Sequence, residues 1–370
     1  MHILTLENEV ILGPHDVIPA GSYLSENMNG AQLLTRAGGG TMQVFDRSDR
    51  LAMMPAIYAG KKILVMRVGG FGDLVLLTPV LREIKRLLSD TEIHVSCMGH
   101  YGQVLQGLPY VDKVVPYPLP FEMVSGYVAT IFLEDAIEKS ALARKLHMTE
   151  LFAKLCGIAA PEDMIPDYRV SENESVWASE MFPRVNGTQR ACIQVGASAL
   201  CRVYPRNLMG DVVGRMLKRG WEVFLMGAKG EVQTPKGAPP KLRNLSELNL
   251  TMRQSAAVVN ACDVFIGNDS ALLHIAGALQ VPAVGLYGPF PWRLRTAYCP
   301  TTHALTGKGE CAPCFHHSNP ALRNHFPENC PGAKNSQCAV LAEIKPETVV
   351  SKAESMSRKQ PTTPPDSPRA

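Results

Sequence analysis

Two stretches of the chain repeat one pattern, in which a continuous apolar run is followed by a segment with apolar residues at helical spacing. The first begins at Lys61. KKILVMRV is an unbroken apolar run with a basic start, as a strand buried on both faces requires. GGFGD follows, and LVLLTPVLREIKRLL then carries its apolar residues at helical spacing. TEIHVSCMG predicts a second strand, VDKVVPYP a third and YVATIFLE a fourth. HMTELFAKLCGI reads as a helix ended by Gly157. The pattern weakens across 161–183, where the connection between two domains is placed.

The second alternation starts at Arg190. ACIQVGAS, WEVFLMGA, DVFIGND and VPAVGLYG read as strands, with NLMGDVVGRMLKRG, NLTMRQSAAVVNAC and SALLHIAGALQ as the helices among them. Strands alternating with helices imply parallel sheets with crossover connections, hence an α/β chain of two doubly wound, Rossmann-like halves. Ligands of such sheets bind beyond the carboxyl ends of the strands, and two such sheets facing each other would leave a cleft there. Residues 1–60 differ. Short apolar runs broken by Gly, Pro, Asn and Asp suggest a small strand-rich appendage. The end of the chain, RKQPTTPPDSPRA, is polar and Pro-rich and reads as disordered. The expected organisation is therefore an appendage (1–60), a first domain (61–185), a second domain (186–350) and a tail (351–370).

Composition narrows the function. The 370 residues are 46% hydrophobic and 19% charged, an ordinary globular balance, with a formal net charge of +3. That charge is too small to make nucleic acid or an anionic membrane a principal partner. No run approaches the length of a membrane span, and the first residues lack the features of a signal peptide, so a cytoplasmic location is expected.

Three strand-to-helix junctions could carry chemistry. Gly69-Gly70-Phe71-Gly72-Asp73 follows the first strand, where glycines let backbone approach a ligand. Asp73 has two readings: a first-turn acid that satisfies the helix start, or a carboxylate able to take a proton from a hydroxyl. The glycine spacing departs from the dinucleotide fingerprint, which argues against an oxidoreductase. Gly267-Asn268-Asp269-Ser270-Ala271 opens a helix whose free N–H groups suit a diphosphate, with His274 on the same face as Ser270. A buried structural histidine is the plain alternative for His274. Val195-Gly196-Ala197-Ser198 with Arg202 offers backbone amides and a cation to a leaving group that gains negative charge, and a solvated surface arginine is the alternative there.

GDLVLLTPVLREIK and GNDSALLHIAGALQVPAVGLYG, with the GAS and MGAKGE segments between them, resemble glycosyltransferase family 9, the heptosyltransferases, over about residues 61–350. The resemblance implies a GT-B fold and an inverting transfer that needs no catalytic metal. It implies Asp73 as catalytic base, with Gly72, Ser198, Arg202, Glu231, Asp269, Ser270, Ala271 and His274 around the nucleotide-sugar donor, ADP-heptose by family expectation. Glu231 would lie near the ribose. Arg202 stands where the family usually has lysine, Ala271 where glycine is common and Tyr204 where tryptophan is frequent. The implied acceptor is lipopolysaccharide or a protein hydroxyl. A different sugar nucleotide, or a non-catalytic binding or assembly subunit, are the alternatives.

Six of the ten cysteines (Cys97, Cys156, Cys192, Cys201, Cys262 and Cys299) are scattered among apolar runs and read as buried small hydrophobes. The other four are clustered. Cys311 and Cys314 are two residues apart, Cys330 follows after fifteen residues and Cys338 after seven more. This is metal-finger spacing, for zinc or iron, with reduced structural thiols as the alternative and His316 and His317 as lesser ligands. The spacing also resembles the cysteine finger of the autotransporter heptosyltransferases, an iron-binding branch that modifies adhesin proteins. The appendage and the finger are natural places for contacts in a homo-oligomer.

Overall fold

The computed structural model describes residues 2–6, 8, 10–13, 16–18, 21–25, 39–44, 58–133, 141–185, 187–232, 234, 236–315, 326, 330–332 and 336–357. The chain divides into two compact units, Met1–Met164 and Ile165–Ala370.

The first unit is built on a four-stranded parallel sheet of β6 (Lys62–Met66), β7 (Glu92–Met98), β8 (Lys113–Tyr117) and β9 (Ala129–Phe132), in the order β8-β7-β6-β9. Ile63, Leu64 and Val65 are at most 2% exposed, which is why the run preceding them has no polar alternation. Helix α1 (Phe71–Leu87) buries Leu74, Val75, Leu77, Leu81 and Ile84. Pro79 lies inside it, and the carbonyl that Pro79 cannot serve, that of Val75, accepts from the Thr78 hydroxyl at 2.7 Å. Helix α2 (Met148–Leu155) docks on α1 through Thr149 Oγ1, which donates to the Leu76 carbonyl at 2.8 Å.

The described parts of residues 1–60 include short strands. β1 (His2–Leu6) pairs antiparallel with β4 (Gly21–Ser25) and β5 (Gly40–Val44), and β2 (Val10–Gly13) pairs with β3 (Asp16–Ile18). These strands group with the first unit and make no compact unit of their own.

The second unit carries a six-stranded parallel sheet: β10 (Arg190–Gln194), β11 (Glu222–Met226), β12 (Leu242–Asn244), β13 (Val264–Asn268), β14 (Ala283–Tyr287) and β15 (Thr302–Thr306), in the order β12-β11-β10-β13-β14-β15. Its helices are α3 (Glu172–Met181), α4 (Arg206–Lys218), α5 (Met252–Asn260), α6 (Ala271–Ala278) and α7 (Pro346–Met356). The division between units falls before α3, within the 161–183 stretch. Arg253 of α5 grips Glu174 of α3 at 2.5 and 2.7 Å, and Arg184 bonds Asp263 at 2.8 and 3.0 Å. Helix α7 runs to Met356, inside the stretch expected to be a polar tail, and 358–370 lie outside the described residues.

In both sheets the strand order reverses once. The reversal lies between β6 and β9 in the first and between β10 and β13 in the second. Adjacent crossovers leave the sheet in opposite directions there and open a crevice at the carboxyl ends of the strands.

Candidate functional site

The residues expected to carry chemistry gather at these two reversal points. In the second unit, β10 runs into Gly196, Ser198 and Arg202, β11 into Glu231, and β13 into Asp269 and Ser270. Asn268, fully buried at the end of β13, ties two of these loops together. Its Nδ2 donates to the carbonyls of Val195 (3.3 Å) and Gly196 (3.2 Å), and its Oδ1 accepts from the Tyr204 amide at 2.8 Å. Tyr204 is itself fixed by its hydroxyl, which donates to the Ile344 carbonyl at 2.5 Å.

Arg202 lies in a short helical turn at Leu200–Arg202 and points back at β13. Its Nη1 donates to the Asp269 carbonyl at 3.2 Å and stands 3.9 Å from Asp269 Oδ2, while Nη2 donates to Ser198 Oγ. Its side chain is 16% exposed, so the solvated-surface alternative does not describe it. The Glu231 carboxylate accepts from the Ala228 amide at 2.8 Å and lies against Gly196, where a Cβ would have no room.

Asp269 is only 4% exposed. His274 Nε2, on the buried face of α6, stands 3.7 Å from Asp269 Oδ1. Oδ2 of Asp269 is buried with no hydrogen-bond partner. Ser270 caps α6 with its backbone only, and its hydroxyl donates to Gln194 Oε1. Ala271 is the first residue of α6. The N–H groups of this first turn have no intrahelical partners and carry the positive end of the helix dipole. Behind the site, burial pushes the Tyr287 hydroxyl well above its ordinary pKa, and the Asp269 charge adds to the effect.

In the first unit, Asp73 sits in the first turn of α1 with its side chain 25% exposed. Gly72 lies beside it, and so belongs to the first unit while the other donor candidates belong to the second. The carboxylate of Asp73 is gripped by Arg67, whose Nη2 donates to Oδ2 at 2.5 Å. Phe71, two residues before Asp73 in the chain, packs edge-on against Tyr101 at 4.6 Å and His100 at 5.7 Å. Arg67 and Gln194, which bond Asp73 and Ser270, were not among the candidate residues, and Asn268 was named only as part of the helix-opening motif. Arg67 had a signal, since it is the one charge inside VMRV, and a charge in a buried strand needs a partner.

The cysteines divide as expected. Cys97, Cys156, Cys192, Cys201, Cys262 and Cys299 are buried free thiols. Burial pushes Cys97 up to about 11 and both Cys156 and Cys299 up to about 12. Cys311 and Cys330 are half-buried, Cys314 is exposed and Cys338 is buried. Cys338 is raised chiefly by burial, with Cys314 and Cys311 contributing, so these three thiols lie within electrostatic reach of one another. Among the described residues, however, no three His, Cys, Asp or Glu side chains are gathered as a metal ion requires. The donor chemistry of the four thiols suits zinc or iron. His316 and His317 lie outside the described residues. Also among the described residues, no helix is long and apolar enough to cross a membrane.

The sequence profile of glycosyltransferase family 9 (heptosyltransferase) matches residues 128–325, more than half of the chain. Lipopolysaccharide heptosyltransferase 1 of Campylobacter coli is 20% identical over 289 residues, which cover 62% of this chain and 84% of that protein. Among solved structures, the ADP-heptose lipopolysaccharide heptosyltransferase II of E. coli superposes with a TM-score of 0.61 at 16% identity, covering 80% of this chain and 98% of the other. The dodecameric, iron-containing heptosyltransferase TibC of enterotoxigenic E. coli, in complex with ADP-D-β-D-heptose, gives 0.61 at 15% identity, covering 81% and 76%. These likenesses fit the two parallel-sheet units and their reversal points, and the fold is GT-B. The chain belongs to glycosyltransferase family 9, the heptosyltransferase family, and is a glycosyltransferase.

Proposed function

We propose that this enzyme transfers heptose from ADP-heptose to a hydroxyl of lipopolysaccharide or of a protein, with inversion at the anomeric carbon. The observation that carries this is the convergence of Ser198, Arg202, Glu231, Asp269 and Ser270 where the strand order of the second sheet reverses. Arg202 and the first-turn amides of α6 bind the diphosphate and stabilise it as it leaves. Glu231 accepts a ribose hydroxyl, while Asp269 and His274 face the sugar. Asp73 takes the proton of the acceptor hydroxyl. As the acceptor oxygen bonds to the anomeric carbon, the bond from that carbon to the diphosphate oxygen breaks and its electron pair leaves with ADP. The ring cluster of Phe71, His100 and Tyr101 offers the acceptor an apolar contact in the same unit as Asp73.

Cys311, Cys314, Cys330 and Cys338 are proposed as a structural metal site from their spacing, and the iron-containing structural neighbour supports that reading. No step depends on it. Two measurements test the reading. Calorimetry with ADP-heptose, ADP, UDP-glucose and GDP-mannose should show binding of the two adenine nucleotides and not of the others. Binding of UDP-glucose or GDP-mannose alone would overturn the donor assignment. Asp73→Ala should keep donor affinity and lose at least about a hundredfold in transfer, the usual scale for a lost general base.

A further inference from the structure

We propose that Arg67 is a positioning residue that selects which oxygen of Asp73 acts as the base. The inference rests on the reading of Asp73 given above. Arg67 directly follows β6, an inner strand of the first sheet, and is 3% exposed. Its backbone amide donates to the Ser96 carbonyl of the neighbouring strand at 3.0 Å. Its guanidinium spans the point of strand reversal. Nη1 donates to the Leu133 carbonyl at the end of β9 (3.3 Å), and Nη2 donates to Asp73 Oδ2 (2.5 Å). The Leu133 amide is in turn held by the Met66 carbonyl at 2.9 Å, so the anchor belongs to the sheet and not to a free loop. A planar, forked cation fastened at one end to backbone fixes the direction as well as the charge at its other end.

Gly70 lies close to the same oxygen. Its φ is +69°, and a Cβ built there would stand 2.9 Å from Asp73 Oδ2. Oδ2 is thus bonded by Arg67 and lies close enough to Gly70 that a side chain there would crowd it. Oδ1 is left as the oxygen that accepts the hydroxyl proton. Removing the fork leaves the carboxylate in place chemically but free to turn, and misplacing a reacting group by about 1 Å can cost on the order of a hundredfold in rate.

Arg67→Ala and Arg67→Met are compared with the wild-type chain and with Asp73→Ala. The Met variant keeps the bulk of the side chain, so the buried strand stays filled. Fold is checked by circular dichroism and ADP affinity by calorimetry. Turnover is read as ADP released from ADP-heptose with lipopolysaccharide core, with a Ser/Thr-rich peptide, and with water as the default acceptor. Both variants should lose about 30- to 100-fold in kcat, with acceptor KM within about threefold and ADP affinity unchanged. Guanidinium ion at tens of millimolar, roughly, should restore at least about fivefold to the Ala variant and nothing to the Met variant, whose side chain fills the space. A well-folded Met variant with kcat within about threefold of wild type overturns the proposal. So does a loss in the Ala variant that guanidinium leaves untouched and that falls mainly on KM. If Asp73→Ala itself turns over normally, the base reading fails and the role of Arg67 fails with it. An inactive Asp73→Ala beside a normal Arg67→Ala sinks this inference alone.

Discussion

Asp269 carries a charge where a protein folded only for stability would not put one. It is 4% exposed, its Oδ2 accepts no hydrogen bond, the Arg202 guanidinium stands 3.9 Å away and the His274 ring nitrogen 3.7 Å away. A buried carboxylate without full hydrogen bonding costs on the order of 1–3 kcal/mol. Strain of this kind gathers at functional sites, where a ligand supplies the missing partners. Asp269→Asn should therefore raise the melting temperature of the ligand-free protein by about 2–4 °C, the shift that ~1 kcal/mol produces in a unit of this size. The same variant should bind ADP-heptose at least about tenfold more weakly, since a hydrogen bond to a charged group is lost. Thermal melting with and without ADP-heptose reads both effects, and a variant that melts lower yet binds normally would contradict the argument. At this scale the sequence proposes candidates by place: Asp73, Ser198, Arg202, Asp269 and Ser270 all follow buried strands. It concealed those that act from inside the strands. Arg67 and Gln194 sit in apolar runs, and Asn268 looks like a loop residue although its side chain joins the strand ends.

Among the elements, α3 shows why periodicity can fail. Only Ala178 of its ten residues is buried, so there is no apolar stripe to read. The helix is held by its capping box, in which Ser171 Oγ accepts from the Glu174 amide and Glu174 accepts from the Ser171 amide, and by the Arg253 grip on the same carboxylate. Burial acts to raise the Glu174 carboxyl, but hydrogen bonds from Arg253 and Ser171 outweigh it and hold the group below its ordinary value. A carboxylate lowered on folding contributes stability above its unfolded value of about 4.3 and loses that contribution as pH falls through the lower folded value. Glu174→Gln should accordingly destabilise the second unit by about 1–2 kcal/mol at pH 7, and the gap to wild type should close on acidification below about pH 4. Denaturant melts at pH 7 and pH 3.5 measure this, and a gap that stays constant with pH would show that Glu174 acts through packing alone. The buried strands and the amphipathic helices were legible because burial writes itself as apolar runs. The edge strands β12 and β15 were not, because β12 is three residues long and β15 is only partly buried.

Over the whole molecule, the division at Met164 separates the proposed chemistry from the proposed donor site. Asp73, Arg67 and Gly70 lie in the first unit, and Ser198, Arg202, Glu231, Asp269, Ser270 and His274 lie in the second. A ligand that binds only the folded form of one unit stabilises that unit by RT ln(1 + [L]/Kd), which is about 2.7 kcal/mol at a hundredfold excess over Kd. For a unit of roughly 200 residues this amounts to a shift of about 5–10 °C. Scanning calorimetry should therefore resolve two transitions, of which ADP raises one and leaves the other in place. Arg202→Ala should abolish the ADP-dependent shift, and Arg67→Met should leave it intact while moving only the other transition. Each substitution then labels the unit it belongs to, without any assumption about the acceptor. A single transition that ADP raises as a whole would mean that the two units unfold as one cooperative body. In that case the donor's stabilisation is shared by the residues that hold Asp73, and the separation of roles drawn along the chain would have to be given up.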